Sequence, residues 1–81
     1  METAQLRIEM AGWPVNDYRI TDRRLEFRVL DCNGQPFPDQ RGVWRRLTAS
    51  ELVLHFRFNT VVAHWYLEKT AEWREVLPNA A

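Results

Sequence analysis

The sequence predicts an α+β fold in which an N-terminal antiparallel sheet packs against a C-terminal helical segment. Apolar residues alternate with polar ones in the first half, which is typical of half-buried strands. In the last third they recur every three or four residues, which is typical of a helix. We expect three or four strands over about residues 5–47 and a helix over about residues 60–77. A length of 81 residues favours a single small domain.

The first strand is predicted over residues 6–10, where Leu6, Ile8 and Met10 alternate with charged side chains. The segment Gly12–Pro14 should break this strand, because glycine and proline favour turns. Asn16-Asp17 is also typical of a turn, since both side chains can bond to nearby backbone. Strand structure is therefore not expected to resume before Tyr18.

A hairpin is predicted over residues 18–29. Residues 18–21 and 25–29 both alternate, and the segment between them is short enough for a tight reversal over residues 21–24. In this arrangement Arg19 and Arg28 would lie on polar faces of their strands. The pattern therefore indicates two neighbouring antiparallel strands.

A loop of about ten residues is expected from Asn33 to Gly42, because this stretch holds two prolines and two glycines. Phe37 lies between the prolines, where it would either pin the loop to the core or form an exposed contact; the pin is favoured. Residues 43–47 then indicate a short strand at a sheet edge. Arginines in that strand would discourage pairing with other chains.

Residues 49–58 carry conflicting signals. Thr48 and Glu51 form a capping box, flanked by Leu47 and Leu52 as a hydrophobic staple, and this predicts that a helix begins at Ala49. Against this, the apolar residues from Leu52 to Phe58 alternate strictly, as in a strand. The helix is the favoured interpretation, and a strand remains the alternative. A break or a new cap is expected at Asn59-Thr60. The final helix has residues at spacings of three and four: Val62, Trp65, Tyr66, Lys69, Trp73, Val76 and Leu77.

Arginine and tryptophan dominate the composition. The chain has ten arginines, one lysine and four tryptophans, and residues 19–57 carry eight arginines against five acidic residues. Arginine and tryptophan are the residue types that most often dominate binding energy at protein contacts. We expect a contact patch whose partner-binding residues are Trp44, Arg45, Arg46, Arg41, Trp13 and Phe37. Alternatively, Trp44 fills the core and the arginines shield its edge.

The sequence argues against most enzyme classes. The only serine, Ser50, lies in the capping box, and the three glycines are too far apart for a phosphate-binding loop. A thiolate at Cys32 would be disfavoured by the neighbouring Asp31. His55 and His64 are nine residues apart, which does not fit a zinc motif. No catalytic residue, metal, cofactor or small-molecule substrate is therefore expected.

The cellular context follows from what the sequence lacks. A single cysteine excludes an internal disulfide, which fits a reducing compartment. No apolar run approaches the length of about 20 residues that spans a bilayer, and no secretory signal pattern is present. A cytoplasmic protein without membrane contact is expected. Its size is typical of bacterial or phage accessory proteins.

Two functions remain. The favoured hypothesis is a protein-interaction or regulatory module whose partner is another protein or a second copy of itself, as in a homodimer. The alternative is nucleic-acid binding, with Trp44 or Phe37 stacking on bases and arginines of a sheet face meeting phosphates. Those arginines would be Arg23, Arg24, Arg28, Arg41, Arg45 and Arg46. A net charge of zero weakens this alternative, because phosphate contacts dominate such affinity.

Overall fold

A four-stranded antiparallel sheet is followed by two α-helices, which confirms the predicted α+β class. The computed structural model describes the backbone of residues 4–76 and the side chains of residues 4–71. The elements are β1 (Leu6–Met10), β2 (Trp13–Thr21), β3 (Arg24–Val29), a 3₁₀ helix (Gln40–Gly42), β4 (Arg45–Arg46), α1 (Ala49–Phe58) and α2 (Thr60–Val76). The chain forms two compact units, the sheet unit up to Thr48 and the helical unit from Ala49 onward.

The sheet has the order β1-β2-β3-β4, and its first two connections are two-residue hairpin turns. Ala11 and Gly12 have φ of 53° and 82°, and Asp22 and Arg23 have φ of 54° and 61°. Positive φ at both central residues is what a type I′ turn requires, and this turn matches the twist of the flanking strands. The predicted reversal over residues 21–24 is thus confirmed.

Ala11→Asn should stabilise the β1–β2 hairpin by about 0.5–1 kcal/mol. Alanine is strained at positive φ, whereas asparagine tolerates it, and Asn-Gly is the preferred pair in a type I′ turn. Position 11 is exposed, so the new side chain meets water. Chemical denaturation of the two proteins measures the difference. Ala11→Val should destabilise the hairpin, because a β-branched residue is still less compatible with this backbone.

The predicted break after β1 is confirmed at Gly12, but it is shorter than expected, and the prediction of a turn at Asn16-Asp17 was wrong. The strand resumes at Trp13 rather than Tyr18, so β2 runs through Pro14 and through Asn16-Asp17. Pro14 is tolerated because it lies at a bulge, where the register between β1 and β2 shifts after Ile8. Asp17 is held in the strand by arginines on both neighbouring strands, and these contacts override its local preference for a turn.

The long loop is ordered by backbone contacts with β3 and by one aspartate. Asp31 Oδ1 accepts hydrogen bonds from the backbone N–H groups of Asn33 and Gln35. The backbone N–H of Phe37 donates to the carbonyl of Val29 at 3.2 Å. The chain then enters β4, which is an edge strand as predicted but contains only two residues rather than five.

One face of the sheet is apolar. Ile8, Tyr18 and Leu25 are buried on it, and the rings of Tyr18 and Phe27 stack with centroids 6.2 Å apart. Burial raises the pKa of the Tyr18 hydroxyl, which accepts a hydrogen bond from the Asn16 side chain. The opposite face is polar and carries Arg7, Arg19, Arg28 and Arg46.

The conflict over residues 49–58 is resolved in favour of a helix, which begins at Ala49 directly after Thr48. A strict alternation in a helix places its apolar residues on two opposite faces, because residues two apart are about 200° apart. Leu52 and Phe56 are accordingly half-buried, whereas Leu54 and Phe58 are exposed, the latter by 84%. The alternating pattern was therefore compatible with a helix, at the cost of one apolar face in water.

The second helix begins where the sequence predicts a new cap. Asn59 Oδ1 accepts a hydrogen bond from the backbone N–H of Val61, which satisfies one of the first N–H groups of α2. The Phe56 and Tyr66 rings lie 5.4 Å apart between α1 and α2. In the predicted apolar stripe Val62 is fully buried, whereas Lys69 is exposed. Leu77 and the side chains of Trp73 and Val76 lie outside the described part.

Neither α1 nor α2, as far as the structure describes them, combines the length and apolar character that a bilayer-spanning helix needs.

Candidate functional site

The polar face of the sheet is built from two rows in which an acidic residue lies between two arginines. The first, the Asp17 row, crosses β1, β2 and β3 through the register Arg7–Asp17–Arg28. Arg7 Nε donates to Asp17 Oδ1 at 2.8 Å, and Arg28 Nη2 donates to Oδ2 at 3.0 Å. The Asp17 side chain is fully buried, and its hydrogen bond is the main cause of the raised pKa of Arg7.

The second, the Glu26 row, crosses β2, β3 and β4 through the register Arg19–Glu26–Arg46. Arg19 Nε donates to Glu26 Oε1 at 2.6 Å, and Arg46 Nε donates to Oε2 at 3.3 Å. The two rows together carry four arginines and two carboxylates. Each carboxylate compensates two guanidinium groups. Arg46 of the expected contact patch and Arg28 of the nucleic-acid alternative are therefore already engaged within the sheet.

Trp44 lies over these rows. The guanidinium carbons of Arg19 and Arg28 are 4.4 and 4.5 Å from the centroid of its ring, within the range of cation–π attraction. The ring is half-buried, and its Nε1 is buried without a hydrogen-bond acceptor among the described residues. Trp44 is thus half-buried on the polar face and shielded by arginines, but it does not fill the core.

The expected contact patch is divided by the pleat of β4. Successive residues in a strand point to opposite faces, so Trp44 and Arg46 lie on the polar face, whereas Val43 and Arg45 lie on the other. Arg45 stacks on Phe27, with its guanidinium carbon 4.9 Å from the ring centroid. The structure thus does not bring Trp44, Arg45 and Arg46 onto one surface.

A groove of about 310 Å³ lies beside β4 on the face opposite to Trp44. Its floor is formed by Phe27 and Val29 of β3, which are half-buried. Val43 borders it with 61% of its surface exposed. The remaining lining residues are Gln40, Arg41 and Arg45. We call this site, made of Phe27, Val29, Gln40, Arg41, Val43 and Arg45, the β4 groove.

Arg41 is held at the groove by its neighbours in the loop. Its Nη2 forms an ion pair with Asp39 Oδ2 at 2.7 Å, and its guanidinium carbon lies 4.0 Å from the Phe37 ring centroid. The hydrogen bond from the Arg41 side chain lowers the pKa of the Asp39 carboxyl. Asp39 also accepts from the backbone N–H of Arg41, which caps the 3₁₀ helix. Phe37 thus supports Arg41 and is pinned to β3 by its backbone.

Gly42 allows the loop to close beside the groove. A Cβ atom at this position would lie 1.9 Å from the backbone oxygen and 2.6 Å from the backbone nitrogen of Phe37. Only glycine permits this approach without movement of the backbone. Gly42 therefore sets the position of the 3₁₀ helix and of Val43 relative to β3.

Sequence analysis found Arg41 and Arg45 of the β4 groove and missed its apolar part. The alternation of β3 places Phe27 and Val29 on one face, and this signal was in the sequence. This alternation alone did not identify a site, because the opposing wall of the groove, Gln40 to Val43, is positioned by contacts within the loop. Trp13 lies elsewhere, at the start of β2 opposite Met10, and 60% of its surface is exposed.

The described side chains form no group of three or more histidine, cysteine, aspartate or glutamate residues that could hold a metal ion. Cys32 is an exposed free thiol in the loop after β3. The chemistry of the β4 groove is thus that of an apolar, partly aromatic floor with cations at its rim.

Comparison of the chain with protein-family models, with curated proteins and with solved structures yields no match.

Proposed function

We propose that this chain is a non-enzymatic protein-interaction module whose β4 groove binds a short acidic segment of a partner protein. The observation that carries the proposal is the apolar lining of this groove beside two arginines: Phe27 and Val29 are half-buried at its floor, and Val43 is exposed at its border. Exposed apolar surface with a polar rim is typical of partner-binding sites. A groove of about 310 Å³ has room for one or two apolar side chains of such a segment.

The charges at the rim favour an acidic partner. The guanidinium groups of Arg41 and Arg45 stack on Phe37 and Phe27, so their hydrogen bonds run along the edges of their planes, where Arg41 already bonds Asp39. Arginine binds carboxylates through two parallel hydrogen bonds from such an edge. An aspartate or glutamate next to the inserted apolar residue would therefore complement the rim.

The polar face is less suited to the alternative function, nucleic-acid binding. Its four arginines already donate to Asp17 and Glu26, and both carboxylates would oppose a phosphate group. Trp44 is covered by two of these arginines, which reduces the ring surface open to base stacking. Dedicated nucleic-acid interfaces are instead strongly positive.

Selection of a random twelve-residue peptide library on the whole chain tests the proposal. We expect selected peptides to combine an apolar residue with an adjacent acidic one. Val43→Glu and Arg45→Glu should each weaken their binding by about tenfold or more, because both place a negative charge at the groove. Fluorescence polarisation of a labelled selected peptide measures this.

Arg24→Glu is the matched control. Like Arg45, Arg24 is exposed, but it lies at the start of β3 and outside the groove. This substitution changes net charge as Arg45→Glu does and should leave peptide affinity within about twofold. Circular dichroism verifies that each variant is folded. Equal weakening by Arg24→Glu and Arg45→Glu would contradict a specific groove. Steeply salt-dependent binding of a single-stranded oligonucleotide that Val43→Glu does not weaken would favour nucleic acid instead.

A further inference from the structure

We propose that a second copy of this chain binds along the outer edge of β1, so that two sheets join into one through an antiparallel β1–β1 pair. This interface is separate from the β4 groove, because β1 and β4 are the opposite edges of the sheet. Within residues 4–76, β1 pairs with β2 alone, so its outer backbone groups face away from the sheet. An exposed edge of this kind is a template for a further strand.

The sequence of β1 is complementary to itself in one antiparallel register. With Ile8 opposite Ile8 of the second copy, Leu6 faces Met10 and Arg7 faces Glu9. Every cross-strand pair is then apolar with apolar or positive with negative. Such directly opposed pairs each contribute favourably, whereas like charges in the same position are unfavourable.

Neighbouring registers lose this match. A shift of two positions places Arg7 opposite Arg7 or Glu9 opposite Glu9. A shift of one position places charged residues opposite apolar ones, because it exchanges the two faces of the strand. The pattern therefore specifies a twofold axis through Ile8, as a symmetric dimer requires.

Exposed apolar surface at the end of β1 supports the same partner. Met10 and Trp13 lie opposite each other beside the first hairpin turn, with 55% and 60% of their surfaces exposed. Met10 is on the same strand face as Ile8, which is buried. In the dimer each Met10 would cover Leu6 of the second copy, so the apolar face would continue across the joined sheets.

Charge reversal at Glu9 tests the register in solution. Sedimentation equilibrium of the wild-type chain should give a monomer–dimer equilibrium. Glu9→Arg creates two Arg–Arg contacts across the axis and should weaken dimerisation by about tenfold or more, whereas Glu9→Gln should weaken it by about threefold. Glu9 is exposed, so both variants should fold. A wild-type monomer at several hundred micromolar, or a dimer indifferent to Glu9→Arg, would overturn the proposal.

Cysteine cross-linking gives an independent test on a Cys32→Ser background, which removes the native exposed thiol. Ile8→Cys should form an intermolecular disulfide under mild oxidation, because directly opposed residues are about 4.5–5.5 Å apart between Cα atoms. Met10→Cys is the control: its two copies would be four residues out of register, about 13 Å apart. Cross-linking through Met10→Cys but not Ile8→Cys would exclude this register. If Ile8→Cys does not fold, the Glu9 variants decide.

Discussion

Asp17→Asn is expected to lower the free energy of unfolding by about 3 kcal/mol. Asp17 is fully buried and compensates both Arg7 and Arg28. The substitution keeps the shape of the side chain but leaves two neighbouring cations without a counter-charge. Removal of one partner from a buried ion pair costs about 3–5 kcal/mol, and we take the lower end because the Arg7 side chain is 43% exposed. Urea denaturation followed by tryptophan fluorescence measures the change.

Asp22→Asn is the matched control for this prediction. Asp22 also pairs with an arginine, Arg46, but at 3.7 Å and with 81% of its side chain exposed. Surface ion pairs contribute little to stability, and asparagine tolerates the positive φ found at Asp22. The free energy of unfolding should therefore change by less than about 0.5 kcal/mol. Similar losses in the two variants would mean that the Asp17 row contributes no more than a surface pair.

Trp44→Ala is expected to destabilise the protein by about 2–4 kcal/mol. The substitution removes a half-buried ring and its cation–π contacts with Arg19 and Arg28. Trp44→Phe should cost less, because it keeps an aromatic ring and removes an indole N–H that is buried without an acceptor in the described part of the chain. Thermal and chemical denaturation of both variants gives the two values.

Trp13→Ala provides the comparison. Because Trp13 is largely exposed, this substitution should lower the free energy of unfolding by less than about 1 kcal/mol. If Trp44→Ala were no more destabilising than Trp13→Ala but abolished binding of groove-selected peptides, Trp44 would be a contact residue. That result would contradict its assignment to the structure of the polar face.

Local patterns were sufficient to predict most of the elements. The alternation in residues 6–10 predicts the bounds of β1, and the capping box at Thr48 predicts the first residue of α1. Both signals lie within a few residues of the element that they specify. The prediction of a turn at Asn16-Asp17 was wrong because Asp17 is stabilised by partners ten and eleven residues away in the chain.

The candidate site was harder to predict than the fold. Composition drew attention to arginine and tryptophan, but it does not say which face of β4 each residue occupies. That choice depends on the pairing of Phe27 with Arg45 and on the close approach of Gly42 to Phe37. Local sequence patterns do not predict such contacts between residues that are distant in the chain.

The strict alternation retained within α1 has a consequence for the unfolded chain. The segment Leu52–Phe58 combines β-favouring aromatic and branched side chains with few charges and no proline. These are the properties of segments that stack into amyloid-like intermolecular sheets once their native structure is lost. The helix that begins at Ala49 therefore also keeps this segment out of such assemblies, and conditions that unwind it should promote aggregation.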